Sequence, residues 1–238
     1  MDSERGTAPD VTVIGGGLAG CEAAYQVAAR GLGVIVREMR PGRMTEAHAT
    51  AELAELVCSN SLRSNEAGSA PGLLKEELRR LGSLIISVAD ESAVPAGKAL
   101  AVDREEFSRR ITALIESHPL ISVAREEARE LPDGIVIVAT GPLTSPALAE
   151  ALGKVIGDRY LYFYDAISPI VSDEGLDRER LFAASRYGGY PAYLNAPMEE
   201  EEYRAFRGAL LDAEPVPLRE FEDLGEAAGA RRPSGSVR

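Results

Sequence analysis

Tryptophan is absent from this 238-residue chain, and cysteine and histidine occur only twice each, as Cys21, Cys58, His48 and His118. Neither cysteine has the CxxC spacing of a zinc or iron–sulfur ligand set, so no metal site is expected. Long apolar runs are also missing, and none approaches the roughly 20 residues needed to cross a bilayer. The first ten residues, MDSERGTAPD, are polar and acidic, unlike a secretory signal or an Arg-rich transit peptide, which points to the cytoplasm and to no membrane partner. Cations are outnumbered, 26 Lys and Arg against 38 Asp and Glu, for a formal net charge of −12. That balance argues against indiscriminate nucleic-acid binding, which needs Lys and Arg to neutralise phosphates, but it leaves room for a local basic patch. Arg63, Lys75, Arg79 and Arg80 cluster in sequence, with Lys75 and Arg79 at i and i+4 on one helix face; charge alone makes them a solvated face. Tandem repeats and coiled-coil heptads are absent too.

What is present begins with VTVIGGGLAG, residues Val11 to Gly20. A β-branched strand runs directly into Gly15-Gly16-Gly17-Leu18-Ala19-Gly20, the GxGxxG turn that brings a dinucleotide pyrophosphate to a helix N-terminus. Gly15 permits the tight turn, Gly17 has no Cβ to obstruct the pyrophosphate, and Gly20 lets the following helix pack close to the strand. The free N–H groups and positive dipole end of that helix then face the phosphates. Cys21 to Arg30 continues as an Ala-rich helix, Gly31 to Gly33 breaks it, and Val34-Ile35-Val36 is a second strand followed by Glu38. An acid at this spacing is placed to meet the ribose hydroxyls of an adenine dinucleotide and disfavours a 2′-phosphate, so FAD fits better than NADP.

The rest of the chain reads as α/β. Pro71 to Leu81 and Arg104 to Ser117 are helical, the second with Asp103 as its N-cap and His118-Pro119 as its stop. Ile121 to Ala124 is a short strand, and Leu131-Pro132-Asp133-Gly134 is a turn into Ile135-Val136-Ile137-Val138. That continuous apolar run predicts a strand buried on both faces. It ends at Ala139-Thr140-Gly141, a small-residue turn where a backbone can pass close to a cofactor, with Thr140 and Gly141 as binding candidates. Between the two glycine turns, Glu55 to Ser64 reads ELVCSNSLRS, a polar loop carrying the Cys58 thiol and well placed to line a flavin; the plainer reading makes Cys58 a small buried apolar residue. Cys21, one residue after Gly20, is assigned to the core. Tyr160 to Asp165 concentrates aromatics in one strand, either a stacking surface for folate or a base or part of a core.

In order along the chain, VIGGGLAGCEAA, REMRP, ELVCSNSLRS, LLKEELRRLGS, VPAGKALAVDREEFS, VIVATGPLTS, LYFYDAISPIV, SRYGGYPAYLN and PMEEEEYRAF resemble successive motifs of the TrmFO (Gid) family of bacterial folate- and FAD-dependent tRNA (uracil-5-)-methyltransferases. The resemblance extends from about Val11 to Phe221. It implies a Rossmann-like FAD-binding domain with a parallel sheet over residues 11–152. A polar tail (1–10) precedes it; part of a smaller inserted α/β substrate domain (153–222) and an aberrant tail (223–238) follow. It also implies a reaction in which NAD(P)H reduces FAD, methylenetetrahydrofolate donates a one-carbon unit, and a methyl group forms on C5 of the uridine at position 54 in the tRNA T arm.

Such chemistry needs a thiolate to attack uracil C6 and a base to remove the C5 proton. The family uses two cysteines, and Cys58 matches the first, as nucleophile or as acid/base. The second would fall beyond the region matching Phe221, where this sequence reads Glu222-Asp223-Leu224-Gly225-Glu226-Ala227 and ends at Arg238. Ala196 stands where many members carry cysteine. The expectation is therefore a shortened member of the family, with a tail compatible with a reading-frame change. The alternatives are a catalytically inactive FAD-binding fragment, a GidA/MnmG-like tRNA-modifying flavoprotein, or an unrelated NAD-dependent reductase.

Overall fold

The computed structural model describes residues 9–57, 59–156, 173–184, 191 and 193–214. Strand β1, Val11–Ile14, leads through α1, Leu18–Ala28, to β2, Val34–Arg37, in parallel register with Val11 opposite Val34. The chain then leaves the sheet. It forms β3, Ser61–Ser64; α2, Ala70–Arg80; α3, Leu84–Glu91; β4, Ala93–Val94; and β5, Ala99–Val102. It returns through α4, Arg104–Glu116, to β6, Ile121–Ala124, and then β7, Ile135–Val138. The main sheet is parallel in the order β6-β2-β1-β7, while β3, β5 and β4 form a separate antiparallel sheet in that order. A 3-10 turn, Gly141–Leu143, precedes α5, Pro146–Ile156. Strands β8, Phe182–Ala184, and β9, Tyr193–Asn195, form an antiparallel pair before α6, Glu200–Asp212.

Alternation along β1 divides the core. Val11 and Val13 face a large cluster with Cys21 and Ala24 of α1, Val34 and Val36 of β2, Leu84 and Val88 of α3, and Phe107, Ile111 and Ile115 of α4. Ile14 faces the opposite side, where Leu148 of α5 and Ala128 cover it. Phe107, Ile111 and Ile115 recur every four residues, which stacks them on one helix stripe. All three are fully buried, and each such side chain contributes about 1.5–3 kcal/mol by leaving water.

Most of the predicted elements are found, with shifted ends. The first helix starts at Leu18 rather than Cys21, because its first turn is the glycine loop itself. The Asp103 cap is present, its side chain accepting from Glu106 N at 3.0 Å. Three expectations are corrected. Strand β7 is not buried on both faces: it is an edge of the described sheet, and Ile135 is 66% exposed. Part of the polar ELVCSNSLRS stretch is strand β3, paired with β5 through a register irregularity at which Arg63 takes φ +67°. Lys75 is buried rather than solvated, its Nζ donating to Ser64 O at 2.8 Å and Pro71 O at 3.2 Å. The aromatic stretch Tyr160 to Asp165 lies outside the described residues.

Candidate dinucleotide site

The carboxyl ends of β1, β2 and β7 are stitched together by backbone bonds just past the strands. Gly15 N donates to Arg37 O at 2.9 Å, Ala139 N to Ile14 O at 2.8 Å, and Glu38 N to Ala124 O at 3.0 Å. Strand β1 has its α1-linked partner β2 on one side and the later β7 on the other, the place where a doubly wound sheet opens a ligand crevice. A cleft lies there, walled by Gly15, Gly16 and Gly17, by Glu38 and Arg40, by Thr45 and His48, and by Ala139, Thr140 and Leu148.

Three of the four fingerprint glycines have reasons internal to the protein. Gly15 takes φ +104°, and a Cβ there would stand 2.7 Å from Ala139 O; one on Gly16 would meet Leu53 at 2.5 Å and Glu38 at 2.8 Å; one on Gly20 would meet Gly15 O at 1.8 Å. Gly17 is different: it has φ −75°, and its Cβ would meet nothing within 4 Å. Its missing side chain leaves open space in front of the helix N-terminus. The first α1 hydrogen bond runs from Cys21 N to Gly17 O at 2.9 Å, so the N–H groups of Leu18, Ala19 and Gly20 precede the intrahelical ladder and no side chain caps them. Space, unpaired donors and the dipole coincide, which suits a phosphate group.

Glu38 is 6% exposed and fully oriented. Its Oε1 accepts from Arg40 N at 3.0 Å and Arg40 Nε at 2.9 Å, and its Oε2 accepts from Gly16 N at 2.8 Å. A carboxylate offers about four lone-pair sites, so Oε2 keeps capacity for a further donor such as a ribose hydroxyl. Burial pushes the Glu38 carboxyl up, but the Arg40 and Gly16 hydrogen bonds outweigh it and hold the pKa below 4.5. Arg40, 2% exposed, also reaches Glu55 Oε2 at 3.0 Å, making a Glu38–Arg40–Glu55 triad in which Glu38 and Arg40 are buried and Glu55 is half-buried. Glu55 in turn gathers Ala49 N at 2.9 Å, Thr50 N at 3.1 Å and Thr50 Oγ1 at 2.8 Å.

The structure thus brings Gly15, Gly16, Gly17, Glu38 and Thr140 around one cleft, with Leu18, Ala19 and Gly20 supplying its helix end. Gly141 does not line the cleft; its φ of +63° gives it a backbone reason to be glycine at the start of the 3-10 turn. Cys58 lies outside the described residues. Cys21 is fully buried, its Sγ 3.3 Å from Gly16 O, and burial, aided by Glu38, pushes its thiol up to about 12. Sequence reasoning missed Arg40, Thr45, His48 and Glu55. REMRP and ELVCSNSLRS contained two of them, but spacing alone does not reveal that residues 15 apart share one ion cluster. Among the described residues, no group of His, Cys, Asp and Glu could hold a metal ion, and no helix is long and apolar enough to cross a membrane.

A family model described as Glucose inhibited division protein A matches residues 10–231. The methylenetetrahydrofolate–tRNA-(uracil-5-)-methyltransferase TrmFO of Brevibacillus brevis is 57% identical over 215 residues, covering 90% of this chain and 49% of that protein. TrmFO of Geobacter sulfurreducens is 60% identical over 217 residues, covering 90% and 50% respectively. The chain therefore spans about half the length of the curated relatives it matches. Among solved structures, Aquifex aeolicus GidA aligns with a TM-score of 0.46 at 20% identity, over 59% of this chain and 26% of that one. With a family match running through nearly all of its length, the chain belongs to the glucose inhibited division protein A family.

Proposed function

We propose that this chain carries the FAD-binding portion of a methylenetetrahydrofolate- and FAD-dependent tRNA (uracil-5-)-methyltransferase acting on the T-arm uridine, in the cytoplasm, with NAD(P)H as the reductant. The observation that carries the reading is the identity with TrmFO relatives over nine-tenths of the chain, and the cleft at the strand ends supports it. Bound FAD would supply redox chemistry, passing a hydride to the folate-derived carbon. The chain's own residues do the holding. Gly17 leaves the pyrophosphate room, the α1 N–H groups of Leu18, Ala19 and Gly20 bind it, Glu38 accepts from the ribose, and Thr140 stands at the other wall, with Gly141 turning the chain away behind it. Cys58 is the thiol of the reaction, as nucleophile on uracil C6 or as acid/base. Residues 11–152 form the dinucleotide domain and 153–222 part of the substrate domain.

Two measurements test this. The purified chain should bind FAD, read by flavin absorbance. A chimaera joining residues 1–221 to the second half of the Geobacter sulfurreducens relative should form 5-methyluridine in tRNA and lose that activity on Cys58→Ala. A chain without affinity for FAD, or a chimaera whose activity is unchanged by Cys58→Ala, would contradict the proposal.

A further inference from the structure

His48 sits in the loop between Arg40 and Glu55, half-buried, and is one of the residues lining the cleft that contains Glu38. Its Nδ1 is 2.6 Å from Thr45 Oγ1. That hydroxyl already accepts from Ala47 N and from His48 N, each at 3.3 Å. A hydroxyl has two acceptor lone pairs and one hydrogen, so with both lone pairs taken its O–H points at Nδ1. Nδ1 is then the bare nitrogen, and a neutral ring carries its hydrogen on Nε2. Burial, followed by the Arg40 charge, pulls the ring's pKa below 6.5 against the opposing pull of Glu55 and Glu38, which keeps it neutral at neutral pH. Among the described residues nothing accepts from Nε2. The loop is also fixed in place, because Glu55 holds the backbone at Ala49 and Thr50, and Arg40 locks Glu55 to Glu38.

Two residues lining one cleft thus carry an unused donor and a carboxylate with spare acceptor capacity, tied to one another by the Arg40 cluster. We propose that His48 is a binding residue for the adenosine diphosphate half of the dinucleotide, donating Nε2–H to an acceptor on that half while Glu38 accepts from a ribose hydroxyl. This rests on the dinucleotide reading of the cleft.

The test is titration of the full chain with FAD, followed by fluorescence, with ADP as a competing probe, at neutral pH. His48→Phe keeps the bulk and removes the donor, and should weaken FAD and ADP by a similar factor of about ten, the scale of one lost hydrogen bond. His48→Gln, which places an amide N–H near the Nε2 position, should stay within about threefold of wild type. Should His48→Phe fail to fold by circular dichroism, His48→Asn, whose amide is too short to reach that position, takes its place with the same expected loss. Unchanged binding in the donorless variant, or equal losses in the Phe and Gln variants, overturns the role of His48. Weakened FAD binding with unchanged ADP competition overturns its assignment to the adenosine diphosphate half. A wild-type chain that binds neither probe overturns the dinucleotide reading itself, and this inference with it.

Discussion

Gly17 and Gly20 lie three residues apart in one motif, yet they face opposite physical constraints. A Cβ on Gly20 would sit 1.8 Å from Gly15 O, whereas one on Gly17 would touch no protein atom. Gly20→Ala should therefore destabilise the fold by about 3 kcal/mol or more, the upper range for overpacking, read from denaturant unfolding. Gly17→Val should leave the melting temperature nearly unchanged and abolish flavin retention; equal flavin content in wild type and variant would show that nothing passes in front of this residue. Burial also decides the reactivity of Cys21. In a Cys58→Ser variant the remaining Cys21, buried and with its pKa at about 12, should resist a thiol reagent until the protein unfolds, since the thiolate is the reactive form. Labelling at the rate of a free cysteine under native conditions would contradict its burial.

At the scale of elements, charged side chains tie together segments that lie far apart in sequence but share the apolar core. Arg40 carries the loop after β2, and removing one partner of a buried ion cluster leaves uncompensated charge. Arg40→Met is expected to cost about 3–5 kcal/mol. Glu38 and Glu55 both have folded-state pKa values below 4.5. The stability they contribute is complete above 4.5 and is lost as the pH falls through the lowered values. Against the upward push of burial, Glu55 is held down by its Ala49 and Thr50 hydrogen bonds and Glu38 by Arg40. Unfolding free energy should thus drop as the pH goes below 4.5 in wild type and, through Glu38, drop less steeply in Arg40→Met; parallel pH profiles would remove the Glu38–Arg40 pair as a cause. A second clasp joins α1 to α3. Glu22 accepts from Ser83 Oγ at 2.8 Å, Ile85 N at 2.9 Å and Leu84 N at 3.3 Å, serving the otherwise unpaired N–H groups at the start of α3. Glu22→Ala should cost about 1.5–3 kcal/mol, as for hydrogen bonds to a charged group, with faster amide exchange at Leu84 and Ile85 as its local sign.

Across the chain, a strongly acidic total coexists with an α1 N-terminus that no side chain caps. The net charge of −12 repels a polyanion at long range, so any RNA contact depends on local cations. Most of the arginines in the described residues are engaged: Arg79 with Asp90 at 2.7 Å, Arg80 with Glu76 at 3.2 Å and Arg125 with Glu116 at 2.8 Å. Strand β7 leaves one edge of the main sheet unpaired in the described residues, with Ile135 66% exposed. An exposed apolar edge invites strand-to-strand association, so Ile135→Lys should raise the solubility of the chain while shifting stability by no more than about 0.5 kcal/mol. Solubility equal to wild type would show that this edge is not the association surface.

Local chemistry was enough to locate the strand–glycine–helix unit, the two later strands and the Asp103 cap. Each of these depends on neighbours within a few residues: β-branched runs, a Ser, Thr or Asp before a helix, and glycine where the backbone must turn left or pass close. Glu38 was legible for the same reason, since one βαβ unit fixes its distance from Gly15. Contacts between distant segments were not legible. Nothing in the polarity of Ser61 to Ser64 announces pairing with Ala99 to Val102, because an edge strand with little buried surface needs no apolar alternation. Lys75 looked solvated because helical spacing reports which residues share a face and not what that face meets; only folding set Ser64 O against its Nζ. The apolar run at Ile135 suggested burial on both sides, but strand order decides who the neighbours are, and β7 has β1 on one side alone. The Glu38–Arg40–Glu55 cluster and the orientation of His48 likewise belong to tertiary structure, since each depends on a loop folding back onto the end of β2.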